Sequence, residues 1–115
     1  MAIEREAEVV AAFVTWLEQE GWRVSTEVDW ADVVAEKGST RLVAEVKGKT
    51  SEPGLDVDTL YGQLLRRMVS SAGTQYAVVV PEALVPVAER VPFFLRRILD
   101  VAIYGVSVNG DVVRH

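Results

Sequence analysis

The sequence predicts one α/β domain, spanning residues 1–115, with a mixed central sheet flanked by helices in the order αβββαβαβ. Two short apolar runs on either side of Lys37-Gly38-Ser39-Thr40 predict a β-hairpin, which is antiparallel. Later in the chain, strand and helix patterns alternate, which predicts parallel crossovers in the same sheet. Half of the 115 residues are hydrophobic, which is enough for a single core.

The first helix is predicted over residues 4–20, because apolar side chains recur at helical spacing in phase with Glu6. Gly21 ends this helix, as a C-terminal glycine often does. Residues 22–28 alternate in polarity and predict a strand. We expect one face of that strand to be formed by Val24, Thr26 and Val28.

The second half of the chain begins with a loop over residues 47–55, which is rich in glycine and small polar residues. Asp56 or Asp58 is expected to cap the next helix, which continues to about Ser70. The remaining elements are a buried strand over 75–80, helices over 83–90 and 92–99, a strand over 101–108 and a returning segment over 111–114.

The hairpin carries two carboxylates at one end. If its turn is centred on Gly38-Ser39 and neither strand contains a bulge, Asp32 lies opposite Glu45. Alternation places Glu45 on the same face as Val43 and Lys47. Like charges that face each other are destabilising unless something neutralises them. A divalent metal with oxygen ligands would do so.

Composition limits the chemistry available to the chain. It contains no cysteine, which excludes a disulfide framework and a cysteine-based zinc site or nucleophile. Its only histidine is His115, so a histidine-based hydrolase is set aside. The net charge of −5 counts against tight non-specific nucleic-acid binding, although it does not exclude a local basic patch. Every apolar stretch is shorter than the ~20 residues that cross a bilayer, and we expect a cytoplasmic protein without membrane contact.

The element order, together with Asp32 and the sequence Glu45-Val46-Lys47, resembles the PD-(D/E)XK superfamily of nucleases and its restriction-endonuclease-like fold. Members have an acidic residue at the start of the second core strand and (D/E)-X-K on the third. Small Mrr-like nucleases and archaeal junction resolvases look most similar, and the likeness covers roughly residues 4–108. One departure is Ala31, since many members have a proline before the first acidic residue.

The resemblance implies metal-dependent hydrolysis of phosphodiesters in nucleic acid, with DNA as the expected substrate. Asp32, Glu45 and the carbonyl group of Val46 would hold Mg²⁺ or Mn²⁺. Lys47 would orient the attacking water or stabilise developing charge, and the amide of Gln63 would lie near the metal. Glu6 is favoured over Glu8 as a third acid, because it lies in phase with the apolar face of the first helix. The simpler interpretation of these side chains is a solvated sheet face with ordinary ion pairs.

A rival hypothesis is a catalytically inactive nuclease-fold domain that acts as a scaffold or protein-interaction subunit. The apolar segment 91–99 is the candidate interface, and both a homodimer and a further protein partner remain open. The pairs Arg66-Arg67 and Arg96-Arg97 can follow a phosphate backbone or simply be exposed charges. The tryptophans are expected to pack in the core or at its edge. Trp30 is the exception, because it is close enough to Asp32 for base stacking to be considered.

Overall fold

A computed structural model describes residues 2–69 and 72–115 of the chain. A mixed sheet with helices on both faces confirms the predicted α/β class. Its strands follow the order of the chain, with β3, β4 and β5 parallel and all other neighbours antiparallel. The strands are β1 (Arg23–Val28), β2 (Ala31–Lys37), β3 (Thr40–Val46), β4 (Thr74–Pro81), β5 (Val101–Val106) and β6 (Val112–Arg114).

The helices differ from the predicted order αβββαβαβ between β4 and β5, and the returning segment adds β6. The described helices are α1 (Glu6–Gln19), α2 (Pro53–Arg67), α3 (Val85–Ala88) and α4 (Phe93–Leu99). The helix predicted over 83–90 is a 3-10 turn at Glu82–Leu84 followed by the single turn of α3. Pro86 explains the break, because proline lacks an N–H and fits only the first turn of a helix.

Helix α2 begins earlier than predicted, at Pro53, because proline is favoured in the first helical turn. Asp56 therefore lies inside the first turn, and neither Asp56 nor Asp58 is the N-cap residue. The helix ends at Arg67, where the next residue takes an extended backbone. Ser70, the predicted end, lies outside the described residues. None of the described helices is both long and apolar enough to cross a membrane.

Each face of the sheet packs against its own helices. On one face, α1 buries Val9, Phe13 and Leu17 against side chains of β3 that include Leu42, Ala44 and Val46. On the other face, α2 buries Val57, Leu60 and Leu64 in a cluster that includes Val43. The alternation predicted for β3 is therefore confirmed. It directs Glu45 and Lys47, which share a face with Val43, toward α2.

Strand β1 does not keep one face, and the prediction for Val24 and Val28 is wrong. Val24 packs on the α1 side of the sheet, whereas Val28 packs on the α2 side. Between them, Glu27 has a φ of 55°, in the left-handed region, which breaks the alternation of an extended strand. Asp29 and Trp30 follow with φ values of 51° and 68°.

Candidate active site

The β2–β3 hairpin has the predicted register. Lys37 pairs with Thr40, and the ladder continues to the pair Val33–Ala44. One step further, the Val46 N–H donates a hydrogen bond of 2.8 Å to Oδ2 of Asp32. This side-chain bond crosses from one strand to the other, and it holds the Asp32 carboxylate at the Glu45 end of the hairpin.

Glu45 is a buried carboxylate in the sheet, with only 2% of its surface exposed. Burial raises its pKa to about 7, and the neighbouring Asp32 adds to the increase through a hydrogen bond and its charge. The positive charge of Arg67 acts in the opposite direction. Asp32 and Glu45 are thus close enough to share a proton or a cation.

Arg67 lies close to Glu45 but does not donate a hydrogen bond to it. The Nε atom of Arg67 lies 3.2 Å from Oε1 of Glu45. However, the single Nε–H group donates to the carbonyl oxygen of Trp30, also at 3.2 Å. Oε1 is buried and accepts no hydrogen bond from any of the described residues. A buried carboxylate oxygen without a donor is costly, and it is an available ligand for a cation.

A cleft of about 160 Å³ opens beside these carboxylates. It gathers four of the five predicted catalytic side chains, contributed by α1, β2, the end of β3 and α2. Glu45 does not line the cleft, because it is buried next to Asp32. The lining residues are Glu6, Asp32, Val46, Lys47, Asp56, Thr59, Leu60 and Gln63.

Glu6 reaches the cleft because the chain before α1 lies against the residues that follow β3. The Lys49 N–H donates a 2.7 Å hydrogen bond to the carbonyl oxygen of Glu4. Gly48 makes this approach feasible, since a Cβ atom there would lie 2.3 Å from the backbone nitrogen of Glu6. Partial burial and the charge of Asp32 raise the pKa of Glu6, whereas Lys47 lowers it.

Glu8, the alternative acid of the first helix, points elsewhere. Its carboxylate accepts a 2.9 Å hydrogen bond from the backbone N–H of Arg5, which stabilises the start of α1. The same side chain lines a different groove, together with Thr15 and Gln19. Of the two candidates, only Glu6 lies at the cleft.

Lys47 has a partner that the sequence did not indicate. Its Nζ atom lies 3.8 Å from Oδ2 of Asp56, and the hydroxyl group of Thr50 also donates to that carboxylate. The sequence pattern predicted only a helix-capping role for Asp56. An acidic residue in the first turn of the helix after Glu45-Val46-Lys47 was the available signal, but the path of the connecting loop cannot be derived from its composition.

The fold has counterparts among solved structures. An XisH family protein from Nostoc punctiforme superposes with a TM-score of 0.63 at 17% identity, covering 91% of this chain and 95% of that chain. An fdxN element excision controlling factor from Anabaena variabilis superposes with a TM-score of 0.64 at 18% identity and the same coverage. No protein-family model matches the sequence, and no curated protein matches it significantly. The sheet and helices match a restriction-endonuclease-like fold, as predicted.

The donor atoms at the cleft suit a hard divalent cation. Asp32 supplies a carboxylate oxygen at the cleft, and Val46 supplies a carbonyl group. Glu45 lies buried beside them, and its Oε1 accepts no hydrogen bond from the described residues although Nε of Arg67 is 3.2 Å away. The described residues contain no cluster of three or more histidine, cysteine, aspartate or glutamate side chains arranged to enclose a metal. Two carboxylates and a carbonyl fit Mg²⁺, which usually retains several waters and needs few protein ligands.

Proposed function

We propose that the chain is a metal-dependent nuclease of the PD-(D/E)XK type, which hydrolyses phosphodiester bonds in nucleic acid. The observation that supports this most directly is the cleft, where three separate segments bring Glu6, Lys47 and Gln63 next to the Asp32–Glu45 pair. A purely structural role does not require a lysine, an amide and the carboxylates of Glu6 and Asp32 to line one opening.

The metal would be Mg²⁺ or Mn²⁺, held by Asp32, Glu45 and the carbonyl group of Val46. When bound, such an ion supplies Lewis-acid stabilisation of the phosphate and lowers the pKa of a coordinated water. The other parts of the proposed mechanism would be carried out by side chains of the protein.

Lys47 supplies positive charge at the cleft, where Asp56 restrains its Nζ atom at 3.8 Å. An ammonium group in this position orients a water molecule or stabilises negative charge that develops on the phosphate. The amide of Gln63 can both donate and accept hydrogen bonds, which suits it to orient the phosphate or the water. Glu6 can accept a hydrogen bond from a water molecule at the rim of the cleft.

DNA is the nucleic acid that we propose as substrate. One fold neighbour is described as a factor that controls excision of the fdxN element, and this description favours DNA over RNA. The neighbour shares 18% identity with this chain, so the substrate needs a direct test.

The test is a cleavage panel of end-labelled DNA and RNA, in single-stranded, duplex and branched forms, with Mg²⁺ or Mn²⁺. We expect cleavage of at least one DNA form by the wild-type protein. Lys47→Ala should reduce the rate by about 100-fold or more, as expected when charge stabilisation is removed from a transition state.

The matched control is Lys49→Ala, which removes an exposed lysine two residues further along the chain that lies 3.8 Å from Glu4. This variant should cleave at the wild-type rate. Absence of metal-dependent cleavage of every substrate, or equal rates for wild type and Lys47→Ala, would contradict the proposal.

A further inference from the structure

Trp30 is a large apolar side chain held in solvent beside the candidate active site. It is 87% exposed and lies two residues before Asp32 in the β1–β2 turn. Trp30 and Asp29 both adopt positive φ, a conformation that disfavours residues other than glycine. The hydrogen bond from Arg67 to the Trp30 carbonyl oxygen anchors this turn to α2. Val28 pairs with Ala31, so Asp29 and Trp30 are the central residues of a two-residue hairpin turn, in which positive φ at both positions is usual. The turn presents the Trp30 ring to solvent.

A groove of about 390 Å³ runs from Trp30 along the α2 side of the sheet. We call it the Trp30 groove, and its charged lining consists of Arg41, Arg66, Arg67 and Asp29. Arg41 lies 3.8 Å from Asp29, which partly neutralises the single acid. Arg41 also lies 3.8 Å from Glu36, and Arg67 is close to Glu45. Arg66 has no ion pair with any of the described residues, and the lining holds three arginines against one acid on a chain whose net charge is −5. Among the grooves and cavities described above, only the Trp30 groove has a charge distribution that complements a polyanion.

The Trp30 groove adjoins the candidate site. Arg67 lines the groove, and its Nε atom lies 3.2 Å from the buried Oε1 of Glu45. On its other side, Trp30 lines a second cavity together with Asp32. A chain that lies in the groove and contacts Trp30 therefore lies next to Asp32, one of the two acids of the candidate site.

We propose that the Trp30 groove binds an unpaired stretch of nucleic acid, with one base stacked on the Trp30 ring and phosphates near Arg41 and Arg66. Aromatic stacking with backbone-tracking cations is how proteins hold single strands without reading their sequence. A base within a duplex is already stacked on its neighbours and does not offer its face. This inference rests on the proposed nuclease function and adds that the substrate contains unpaired nucleotides beside the cleaved bond.

The experiment measures binding without cleavage. Fluorescein-labelled oligo(dT) of twelve nucleotides, and a blunt duplex of the same length, are titrated with protein in EDTA at low salt, and anisotropy is recorded. We expect the single strand to bind more tightly than the duplex. Trp30→Ala should weaken single-strand binding roughly 5- to 150-fold, and Trp30→Phe should retain most of the affinity. Val113→Ala, which truncates an exposed apolar side chain on β6, should bind like wild type.

Two further readouts separate stacking from a structural effect. The oligonucleotide should quench intrinsic fluorescence in wild type, and this quenching should be lost in Trp30→Phe although Trp16 and Trp22 remain. Arg66→Gln should reduce the dependence of the binding constant on salt by about one phosphate contact. Unchanged thermal unfolding of Trp30→Ala would show that the fold is intact.

Wild-type affinity in Trp30→Ala, equal affinity for single strand and duplex, or no wild-type binding to either would overturn the inference. The two proposals fail separately, because binding is measured without metal. Cleavage that is unaffected by Trp30→Ala would leave the nuclease and remove the stacking site. Trp30-dependent binding without cleavage in Mg²⁺ or Mn²⁺ would do the reverse.

Discussion

Glu45 is the residue on which the candidate site depends, and its environment opposes its charge. The side chain is buried and Asp32 adjoins it, and among the described residues Arg67 supplies the positive charge that lowers its pKa. The pKa of Glu45 is consequently raised from 4.5 to about 7. Ionising this group in the metal-free protein is unfavourable, and a divalent cation would reverse that preference.

The raised pKa predicts how the stability of the metal-free protein changes with pH. The folded state binds the proton of Glu45 more tightly than the unfolded state does, so the free energy of unfolding falls as pH rises from about 4.5 to about 7. The loss from this residue is about 3 kcal/mol. Glu45→Gln should abolish that part of the decrease and should be more stable than wild type at pH 8.

Urea unfolding in EDTA between pH 4.5 and pH 8 measures this effect. The matched control is Glu18→Gln, which alters an exposed glutamate on α1 and should keep the wild-type pH dependence. Parallel pH profiles for wild type and Glu45→Gln would show that burial does not disfavour the ionised carboxylate.

Among the elements, the contact between the start of α1 and the end of β3 decides whether Glu6 reaches the cleft. Gly48→Ala should disrupt it, because the added Cβ would lie 2.3 Å from a backbone nitrogen rather than from a flexible side chain. We expect a loss of about 1–3 kcal/mol in the free energy of unfolding, typical of overpacking, together with slower cleavage. Urea unfolding and the cleavage assay measure the two effects.

The control for Gly48→Ala is Gly62→Ala, at an open position within α2 where a Cβ atom would have no neighbour within 4 Å. Alanine favours a helix more than glycine does, so this variant should be as stable as wild type or more stable by up to about 1 kcal/mol. If both alanine variants unfold at the same urea concentration, the close approach at Gly48 does not constrain the fold.

The hairpin shows why part of the site was predictable from sequence. A short turn between alternating apolar runs has few registers, and a slip by one residue would expose the buried face. The observed register from Lys37–Thr40 to Val33–Ala44 therefore followed, and it brings Asp32 next to Glu45. The partners of those residues were not predictable. Asp56 reaches Lys47 through an irregular loop, and Arg67 reaches Glu45 from another element. The positive φ values in the turn that exposes Trp30 were not predictable either, because no sequence pattern indicates them at these residues.

On the surface of the molecule, helix α4 buries a charged side chain and exposes apolar ones, the opposite of an ordinary amphipathic helix. Its buried residue is Arg96, whose Nε–H donates to the carbonyl oxygen of Val91 at 3.0 Å. Four of its five apolar side chains are exposed, with Ile98 74% accessible to solvent, whereas Leu99 packs partly buried against the core. The exposed apolar residues of α4 are Phe93, Phe94, Leu95 and Ile98. Such a patch is typical of a surface that contacts another protein, and the homodimer that the sequence leaves open would use it as its interface.

A charge placed in this patch should separate the two copies. We expect Ile98→Glu to sediment as a monomer at concentrations where wild type is a dimer, because the charge would have to be buried in the interface. Sedimentation equilibrium over a range of micromolar concentrations measures this. Val108→Glu, at an exposed position after β5, should remain dimeric. A wild-type protein that is monomeric throughout would contradict the proposed dimer.

Metal binding by the metal-free protein tests the proposed site most directly. Calorimetric titration with Mn²⁺ compares wild type with Glu45→Ala, and circular dichroism verifies that both are folded. If Asp32, Glu45 and Val46 hold the ion, wild type binds Mn²⁺ and Glu45→Ala loses about 100-fold or more of that affinity. Equal Mn²⁺ affinity in the two folded proteins would contradict the assignment of these residues as the metal site.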